Sequence, residues 1–396
     1  MKEKIVNSKL RLTRVSILFV FAMVAACGGG GGGGDGGGGG STAAPPPNNS
    51  AGAAASDNVP SRLYVANRVS NDVSAYTIDA STGALSEVPG SPFAAGIGPI
   101  SVTVDPAGRF AYVANGGSSN FTDTISVYTL NPATGALTSI GAVPAGRSSL
   151  RSITIDPTGK FVYTASGGSR MSSFDVSAYT INATTGALSV ATGSPFFAGT
   201  NPSSVAVDPS GKFAYVTNQA SSDVSAYAIN TATGALISTV RASTGTGPLC
   251  VRVDPSGKFA YVVSDAVSAY TINASTGALT SIGPAVAAGT GPGSVAVDPS
   301  GRFAYVTNFS SNDVSAYVIN ATTGELTSTG APVAAGAAPN SVTVDPSGKF
   351  VYVTNGGSDN ISIYTIDAAN GALTSLGAPV ATGAGPASIT NTGTIR

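Results

Sequence analysis

Most of this chain is built from one pattern of alternating apolar and polar residues, which residues 291–330 show in full. The runs Ser294–Val297, Phe303–Thr307, Val314–Ile319 and Glu325–Thr329 are four to six residues long and rich in β-branched, aromatic and small residues. Turns rich in Asp, Asn, Pro and Gly separate them, and no run has the spacing of an amphipathic helix. The pattern therefore predicts a unit of four short strands.

The unit recurs seven times along the chain. The tyrosine of the predicted second strand falls at intervals of 44 to 52 residues, at Tyr64, Tyr112, Tyr163, Tyr215, Tyr261, Tyr305 and Tyr352. The glycine of the turn between the third and fourth strands recurs at Gly83, Gly135, Gly186, Gly234, Gly277, Gly324 and Gly371. A four-stranded repeat with a period of about 40–50 residues is typical of a β-propeller.

The two ends of the repeat region predict how the ring closes. The first repeat begins at its second strand, Leu63–Asn67, whereas the chain ends in an additional first strand, Gly385–Thr390. That last strand would complete the first blade and cover its open edge. We therefore predict an all-β, seven-bladed β-propeller with four-stranded blades, closed by its C-terminal strand.

The residues before the repeats predict a secretion signal and a tether. Basic residues precede a short apolar run, Val15–Met23, and small residues then lead into Cys27. The run is too short to span a bilayer. Val24-Ala25-Ala26-Cys27 resembles a bacterial lipobox, in which the cysteine is acylated, and the open alternative is an ordinary signal peptide cleaved before a cysteine. We predict a lipoprotein signal peptide at 1–26, a flexible tether rich in Gly, Pro and Ser at 27–58, and the propeller at 59–396.

Lipidation of Cys27 would make the membrane a partner of this protein. Resemblance to bacterial lipoproteins implies the outer membrane, because no Asp follows Cys27. The predicted location is therefore the cell envelope, with the propeller on a lipid anchor.

Composition restricts the ligands and the chemistry. The net charge of −1 gives no basic stripe of the kind that nucleic-acid binding needs, so nucleic acid is not an expected partner. The chain has no histidine, which is the commonest general base, and only two cysteines. We expect neither a metal site nor a cofactor.

Subtracting the repeat leaves a few exceptional arginines. Arg151 stands where the other blades have Ile100, Ser203, Leu249, Gly293, Asn340 and Ala387. Arg252 stands where they have Thr or Ala. Arg147 lies close before the same first strand as Arg151, and Arg170 lies in one of the longest variable loops. Guanidinium groups suit carboxylate or phosphate. We expect these arginines to converge on adjacent blades at one rim and to form an anion-binding mouth, the alternative being that each pairs with a loop aspartate or is solvated.

Proton-transfer residues are scarce. Most acids belong to the repeat, either in the Asp-Pro turn or ahead of the third strand, where they have a structural role. Among the acids outside the repeat are Asp123 and Asp359, in loops. None is paired by sequence with a nucleophile. Cys250 occupies a position held by serine in other blades, as expected of a buried small residue.

The recurring Tyr-Val-Thr-Asn runs, at Tyr215–Asn218, Tyr305–Asn308 and Tyr352–Asn355, carry a family resemblance. Together with the Asp-Pro-Ser-Gly turns, they make the region after the tether resemble the YVTN-repeat and lactonase-type propellers, which include bacterial 6-phosphogluconolactonase. The resemblance implies a propeller and a lactone-hydrolysing activity. Lactonase-type sites that use His with Glu and Arg are matched here only in the arginines.

Three functional hypotheses follow. The preferred one is a lipid-anchored binding or interaction module of the cell envelope, for an anionic small molecule, a glycan or an envelope protein. The alternative is a lactone hydrolase of the 6-phosphogluconolactonase-like family. The second alternative is a structural envelope protein.

Overall fold

A computed structural model describes residues 60–117, 123–145, 149–167 and 174–393. Within these ranges the chain forms seven antiparallel sheets and no helix, and the sheets are arranged as the blades of a seven-bladed β-propeller. The predicted signal peptide, Cys27 and the tether lie outside the described residues. Blades are numbered 1 to 7 in the order of their second strands.

Each blade runs from an inner strand beside the central channel to an outer strand at the rim. In blade order, the inner strands are Pro386–Asn391, Pro99–Val104, Leu150–Ile155, Pro202–Val207, Cys250–Val253, Pro292–Val297 and Pro339–Val344. The second strands are Arg62–Asn67, Phe110–Asn115, Phe161–Gly167, Phe213–Asn218, Phe259–Val263, Phe303–Asn308 and Phe350–Asn355. The third strands are Asp72–Ile78, Thr124–Leu130, Phe174–Ile181, Asp223–Ile229, Val267–Ile272, Asp313–Ile319 and Asn360–Ile366.

The inner and second strands are buried along almost their whole length, because neighbouring blades cover both faces of each sheet. This explains why they are made of Val, Ala, Tyr and small polar residues rather than of an alternating polar pattern. The hydrophobic core is therefore a series of clusters, each shared by the two facing sheets of neighbouring blades.

The sequence predicts one uninterrupted outer strand in each repeat, and the structure differs from this prediction. The outer strand is split in four blades, into Leu85–Glu87 with Phe93–Ala94, Leu188–Val190 with Phe196–Phe197, Leu326–Ser328 with Val333–Ala334, and Leu373–Ser375 with Val380–Ala381. It is continuous in blade 2 (Leu137–Pro144) and blade 4 (Leu236–Ser243), and in blade 5 Leu279–Ser281 is followed by a single bridge from Val286 to Val267. The split blades carry a proline just before the second piece, at Pro92, Pro195, Pro332 and Pro379. Proline has no amide hydrogen to give to the ladder, so it interrupts the edge.

Closure of the ring occurs as predicted. The C-terminal strand Pro386–Asn391 pairs antiparallel with Arg62–Asn67, with Tyr64 opposite Thr390 and Val65 opposite Ile389. Blade 1 is thus made from both ends of the repeat region, and its inner edge is covered.

Recurring Asp and Asn side chains of the repeat form hydrogen bonds that stabilise its turns. In blade 6, Asp298 is 3% exposed, and its Oδ1 accepts hydrogen bonds from the amides of Arg302 and Phe303, each at 2.7 Å. In the same blade Asn308 donates from Nδ2 to Asp313 at 2.6 Å and to Ser315 at 2.9 Å, which ties the second strand to the third. The aspartate ahead of the third strand is therefore structural, as the sequence indicated, and so is the asparagine of the Tyr-Val-Thr-Asn run.

Tyrosine hydroxyls join every pair of neighbouring blades. The tyrosine of each second strand donates to the carbonyl of the turn glycine in the next blade, at 2.8 to 3.1 Å, in the pairs Tyr64–Gly135, Tyr112–Gly186, Tyr163–Gly234, Tyr215–Gly277, Tyr261–Gly324, Tyr305–Gly371 and Tyr352–Gly83. A second tyrosine, on each third strand, donates back to a carbonyl in the preceding blade, at 2.6 to 3.1 Å, in the pairs Tyr76–Ala381, Tyr128–Ala94, Tyr179–Ala145, Tyr227–Phe197, Tyr270–Ser243, Tyr317–Ala287 and Tyr364–Ala334. All 14 tyrosines of the chain are used in this way, two at each interface.

The turn glycine is needed for the same contact. Gly324 has a φ of +77°, and a Cβ added to it would lie 2.3 Å from Cδ1 of the Phe259 ring. The turn therefore presents its carbonyl to Tyr261 only because no side chain separates it from blade 5. Blade 1 is the exception, since Arg62 replaces the phenylalanine and donates to the carbonyl oxygens of Pro60 and Ala133, each at 2.8 Å.

Burial of the tyrosines makes the folded state sensitive to alkali. No tyrosine is more than 3% exposed, and burial raises the pKa of each above its ordinary value, to about 12 for Tyr76, Tyr227 and Tyr364. The ionised form is disfavoured because it would lose water and could not donate to the carbonyl.

We therefore predict steep alkaline unfolding. A folded-state pKa above the unfolded value of about 10 means that the stabilisation is complete below pH ~10 and is lost as pH rises from about 10 towards 12. Each tyrosine contributes a slope of up to about 1.4 kcal/mol per pH unit in that window. Urea unfolding from pH 8 to 12, with tyrosinate absorbance followed in parallel, measures this. Ionisation near pH 10 in a protein that is still folded would contradict it.

A second prediction concerns a single tyrosine. Tyr305→Phe removes the donor to the buried Gly371 carbonyl while keeping the ring, so we expect the free energy of unfolding to fall by about 1–3 kcal/mol in urea titrations. Thr365→Val is the matched control, because it removes a hydroxyl from an exposed 3.4 Å contact to Thr374 and should change the free energy of unfolding by less than about 0.5 kcal/mol. Equal effects of the two substitutions would show that the inter-blade bond does not stabilise the ring.

Candidate functional site

The central channel opens at the face where the inner strands begin, and this opening is called the mouth. Inner strands of neighbouring blades contact one another around the channel. Several are joined by serine hydroxyls, which accept hydrogen bonds from the next blade at Ile153 and Val205, each at 3.2 Å, and at Ile389, at 3.4 Å. Cys250, in the serine position of blade 5, is fully buried, as the sequence indicated.

Two sequence positions in each blade border the mouth. The mouth position is the residue just before that serine or cysteine, and its occupants in blades 1 to 7 are Ala387, Ile100, Arg151, Ser203, Leu249, Gly293 and Asn340. The shoulder position is the residue that follows the terminal Asn or Ser of the second-strand segment, and its occupants are Arg68, Gly116, Gly167, Gln219, Asp265, Phe309 and Gly356. In blades 2 to 7 the two positions are sixteen residues apart in sequence, as in Ile100 and Gly116 or Gly293 and Phe309.

The two positions compete for space in most blades. A Cβ on Gly167 would lie 2.6 Å from Nε of Arg151, and one on Gly356 would lie 2.2 Å from Nδ2 of Asn340. Blades 2, 3 and 7 accordingly have a large mouth residue with a glycine shoulder, whereas blades 1, 4 and 6 have a small mouth residue with a large shoulder. Blade 5 is the exception, because it has Leu249 at the mouth position and the exposed Asp265 at the shoulder position.

Arg151 and Arg68 meet at this mouth. Arg151 is half-buried, and its Nε donates weakly to the carbonyl of Gly167 at 3.4 Å. Burial lowers the pKa of the Arg151 guanidinium, and the positive charge of Arg68 lowers it further. Neither arginine forms a salt bridge with any residue of the described chain. Among the described residues, the mouth therefore holds two like charges with which no carboxylate forms a salt bridge.

Arg68 is the functional candidate that sequence reasoning missed. It lies in the variable loop after a second strand and matches no inner-strand position, so comparison of inner strands does not expose it. The pairing of mouth and shoulder positions would have found it once Pro386–Asn391 is taken as the inner strand of blade 1, because the small mouth residues of blades 4 and 6 are accompanied by large shoulder residues.

Arg252 does not join this pair, which corrects the expectation of one cluster on adjacent blades. Arg151 is in blade 3 and Arg252 in blade 5, with blade 4 between them. Relative to the serine position, Arg151 is one residue earlier and Arg252 two residues later, a difference of three residues or roughly 10 Å along a strand. Arg252 is half-buried, and burial lowers the pKa of its guanidinium to about 10. It lies deeper in the channel than Arg151.

The remaining arginines and loop acids have other roles or lie outside the structure. Arg147 and Arg170 are outside the described residues. Arg241 forms a 3.6 Å salt bridge with Asp223, as the alternative interpretation of the exceptional arginines expected. Asp123 and Asp359 hold neighbouring blades together, since their carboxylates accept the amides of Leu150 at 2.9 Å and Gly385 at 2.7 Å.

Away from the mouth, the described chain has a cavity but neither a metal cluster nor a membrane-spanning helix. No group of three or more His, Cys, Asp or Glu in it could hold a metal ion. No helix long and apolar enough to cross a membrane occurs among the described residues. A cavity of about 170 Å³ lies at the outer rim between blades 6 and 7, against Tyr364, and no charged side chain lines it.

Comparison with solved structures supports the fold. A putative 6-phosphogluconolactonase from Bacteroides uniformis superposes with a TM-score of 0.75 at 18% identity, over 84% of this chain and 99% of that one. The periplasmic gluconolactonase PpgL of Pseudomonas aeruginosa superposes with a TM-score of 0.74 at 20% identity, over the same shares. A putative 6-phosphogluconolactonase from Bacteroides fragilis gives 0.75 at 20% identity, over 86% of this chain and 99% of that one.

No curated protein matches the chain in sequence. The family model for the lactonase seven-bladed β-propeller matches residues 60–197, 175–253 and 237–389, which together span nearly the whole described region. The mouth, the closure by the C-terminal strand and the seven repeats all lie within this match. The chain belongs to the lactonase family of seven-bladed β-propellers.

Proposed function

We propose that this protein binds small lactones at the channel mouth and hydrolyses them to hydroxy acids. The observation that carries the proposal is the pair Arg68 and Arg151, two guanidinium groups that stand at the mouth in blades 1 and 3 and form no salt bridge within the described chain. Membership of the lactonase family supports the reaction class, and the structural similarity to a putative 6-phosphogluconolactonase and to a periplasmic gluconolactonase favours lactones as substrates.

The chemistry follows from the charge of the pair. Water adds to the lactone carbonyl carbon, and the carbonyl oxygen becomes an oxyanion. When the oxyanion re-forms the carbonyl, the ring C–O bond breaks. The proton that the added water loses goes to the leaving ring oxygen. Guanidinium donors aimed at the oxyanion stabilise it most where water is partly excluded, as at half-buried Arg151. The product is a carboxylate, which the same donors hold as an ion pair.

A binding module for a carboxylate or another anionic small molecule is the second candidate. It is favoured by the absence of histidine from the chain and by the structural roles of Asp123 and Asp359, which leave the arginines without a neighbouring general base among the described residues. Both candidates use the same mouth, and turnover distinguishes them.

The predicted anchor is compatible with an accessible mouth. The chain joins the propeller near Pro60, where Arg62 bonds to Ala133 in a turn of blade 2 on the face opposite the mouth. A tether from lipidated Cys27 would thus leave the mouth open to the solvent of the cell envelope. This arrangement supports a substrate or ligand that diffuses in that compartment.

The activity is tested on a panel of sugar and aliphatic lactones. We expect Arg151→Ala to lower kcat/KM by about 100-fold, as removal of one oxyanion donor does in other hydrolases, and Arg151→Lys to recover part of the loss. Arg302→Ala is the matched control, because Arg302 lies on the opposite face over the Phe303 ring, 4.8 Å from its centroid, and should leave kcat/KM unchanged.

Absence of turnover on the whole panel would reject the hydrolase and leave the binding module. Turnover that survives Arg151→Ala would instead move the site away from the mouth.

The anchor is tested separately. In cells fed a labelled fatty acid, we expect the label on the full chain and its loss in Cys27→Ala, with the variant leaving the membrane fraction. Ser41→Ala in the tether is the control and should remain labelled. An unlabelled wild-type chain would favour the ordinary signal peptide.

A further inference from the structure

The mouth has two chemically different sides. Arg68 and Arg151 belong to blades 1 and 3, so their pair is centred on blade 2. In a ring of seven, blades 5 and 6 lie directly across from blade 2. Their large residues at the mouth are Leu249 and Asp265 in blade 5 and Phe309 in blade 6; Leu249 and Phe309 are half-buried, and Asp265 is exposed. Across the channel, the two arginines therefore face two apolar side chains and one carboxylate, which would repel the anionic end of a ligand and leave it to the arginines.

Backbone geometry directs Phe309 to the mouth. Its amide donates to the carbonyl of Gly291 at 2.8 Å, just as the amide of Arg68 donates to Gly385 and that of Gln219 to Asn201, each at 2.9 Å. The three residues thus leave the backbone in equivalent orientations. Gly293 at the mouth position of the same blade provides the space that the ring needs.

Leu249 and Phe309 are half-buried, and the apolar area that they expose at the mouth would be favourably covered by an apolar part of a ligand. A polyhydroxylated ligand would place its hydroxyls against these side chains and lose hydrogen bonds to water. A ligand with an apolar substituent would instead bury that substituent against Leu249 and Phe309 while its carbonyl or carboxylate contacts Arg151.

We propose that the mouth selects amphipathic ligands: lactones with an alkyl or aryl substituent, and the hydroxy acids that they release, in preference to sugar lactones. This inference rests on the proposed function for the reaction, whereas ligand selection itself depends only on the opposed sides of the mouth. Phe309 is then a specificity-determining residue, and Arg151 binds the polar head.

Calorimetric titration of the full chain with butyrate, octanoate and gluconate tests the selection without requiring turnover. We expect octanoate to bind at least about tenfold more tightly than butyrate, since each added methylene contributes about two- to fourfold when it is buried. Gluconate should bind more weakly than octanoate. Arg151→Ala should weaken the binding of octanoate and butyrate alike.

Phe309→Gln is the decisive variant, because blade 4 carries glutamine at the same backbone position and the substitution is therefore compatible with the fold. We expect it to reduce the preference for octanoate over butyrate to about twofold. Phe197→Gln is its matched control, since Phe197 is 87% exposed on the outer edge of blade 3 and should leave the preference unchanged.

Gluconate binding as tight as octanoate, no detectable binding of octanoate, or an unchanged preference in Phe309→Gln would each overturn the selection. The outcomes separate it from the proposed activity. Turnover of sugar and alkyl lactones at equal kcat/KM would keep the hydrolase and reject the selection, whereas Phe309-dependent octanoate binding without any turnover would keep the selection and reject the hydrolase.

Discussion

Hydrogen bonds between tyrosine hydroxyls and backbone carbonyls of neighbouring blades are the interaction on which this ring depends. Every interface has two of them, one in each direction, and they consume all 14 tyrosines. Each bond stabilises the fold by only about 1 kcal/mol, but a buried carbonyl left without its donor costs more than that. Displacing one blade would therefore leave hydroxyl or carbonyl groups in both neighbouring blades without their hydrogen-bond partners. This reciprocity makes seven weakly stable four-stranded sheets into one closed ring.

The same contacts explain why the repeat tolerates so little change. The turn glycine must lack a side chain so that its carbonyl reaches a tyrosine, the Asp-Pro turn must bury its aspartate, and the terminal asparagine must tie the second strand to the third. On the face of the ring opposite the mouth, these turns therefore allow little variation in sequence. Variation remains at the mouth, in the loops that follow the second strands. In blades 1 to 4, 6 and 7 the shoulder residue donates its amide to the backbone just before the inner strand of the same blade, as in Arg68 to Gly385 and Phe309 to Gly291.

At the mouth, the space between the mouth and shoulder positions limits which side chains can face the channel. In blades 3 and 7 the side chain at the mouth position fills the space that a Cβ at the shoulder position would need, whereas blade 5 has large residues at both positions, Leu249 and Asp265. A few substitutions could therefore change the ligand without disturbing the strands. In this chain they place two guanidinium groups on one side and two apolar side chains on the other, which is an unusual combination to leave without a ligand. In the proposed function, a carbonyl or carboxylate is the group that these guanidinium groups would recognise.

The sequence by itself determined the fold, because the repeat encodes it locally. Periodic tyrosines, glycines and Asp-Pro turns fixed the number of blades, the strand order and the closure by the C-terminal strand, and each could be recognised from its spacing alone. The interrupted outer strands were not predicted, although Pro332 and its equivalents marked them. Arg151 could be identified as an exception to the repeat. Its partner Arg68, the depth of Arg252 and the position of Phe309 across the channel could not. These depend on which blades face each other around the ring and on how far along each strand a side chain lies, and only the closed tertiary structure sets those two quantities.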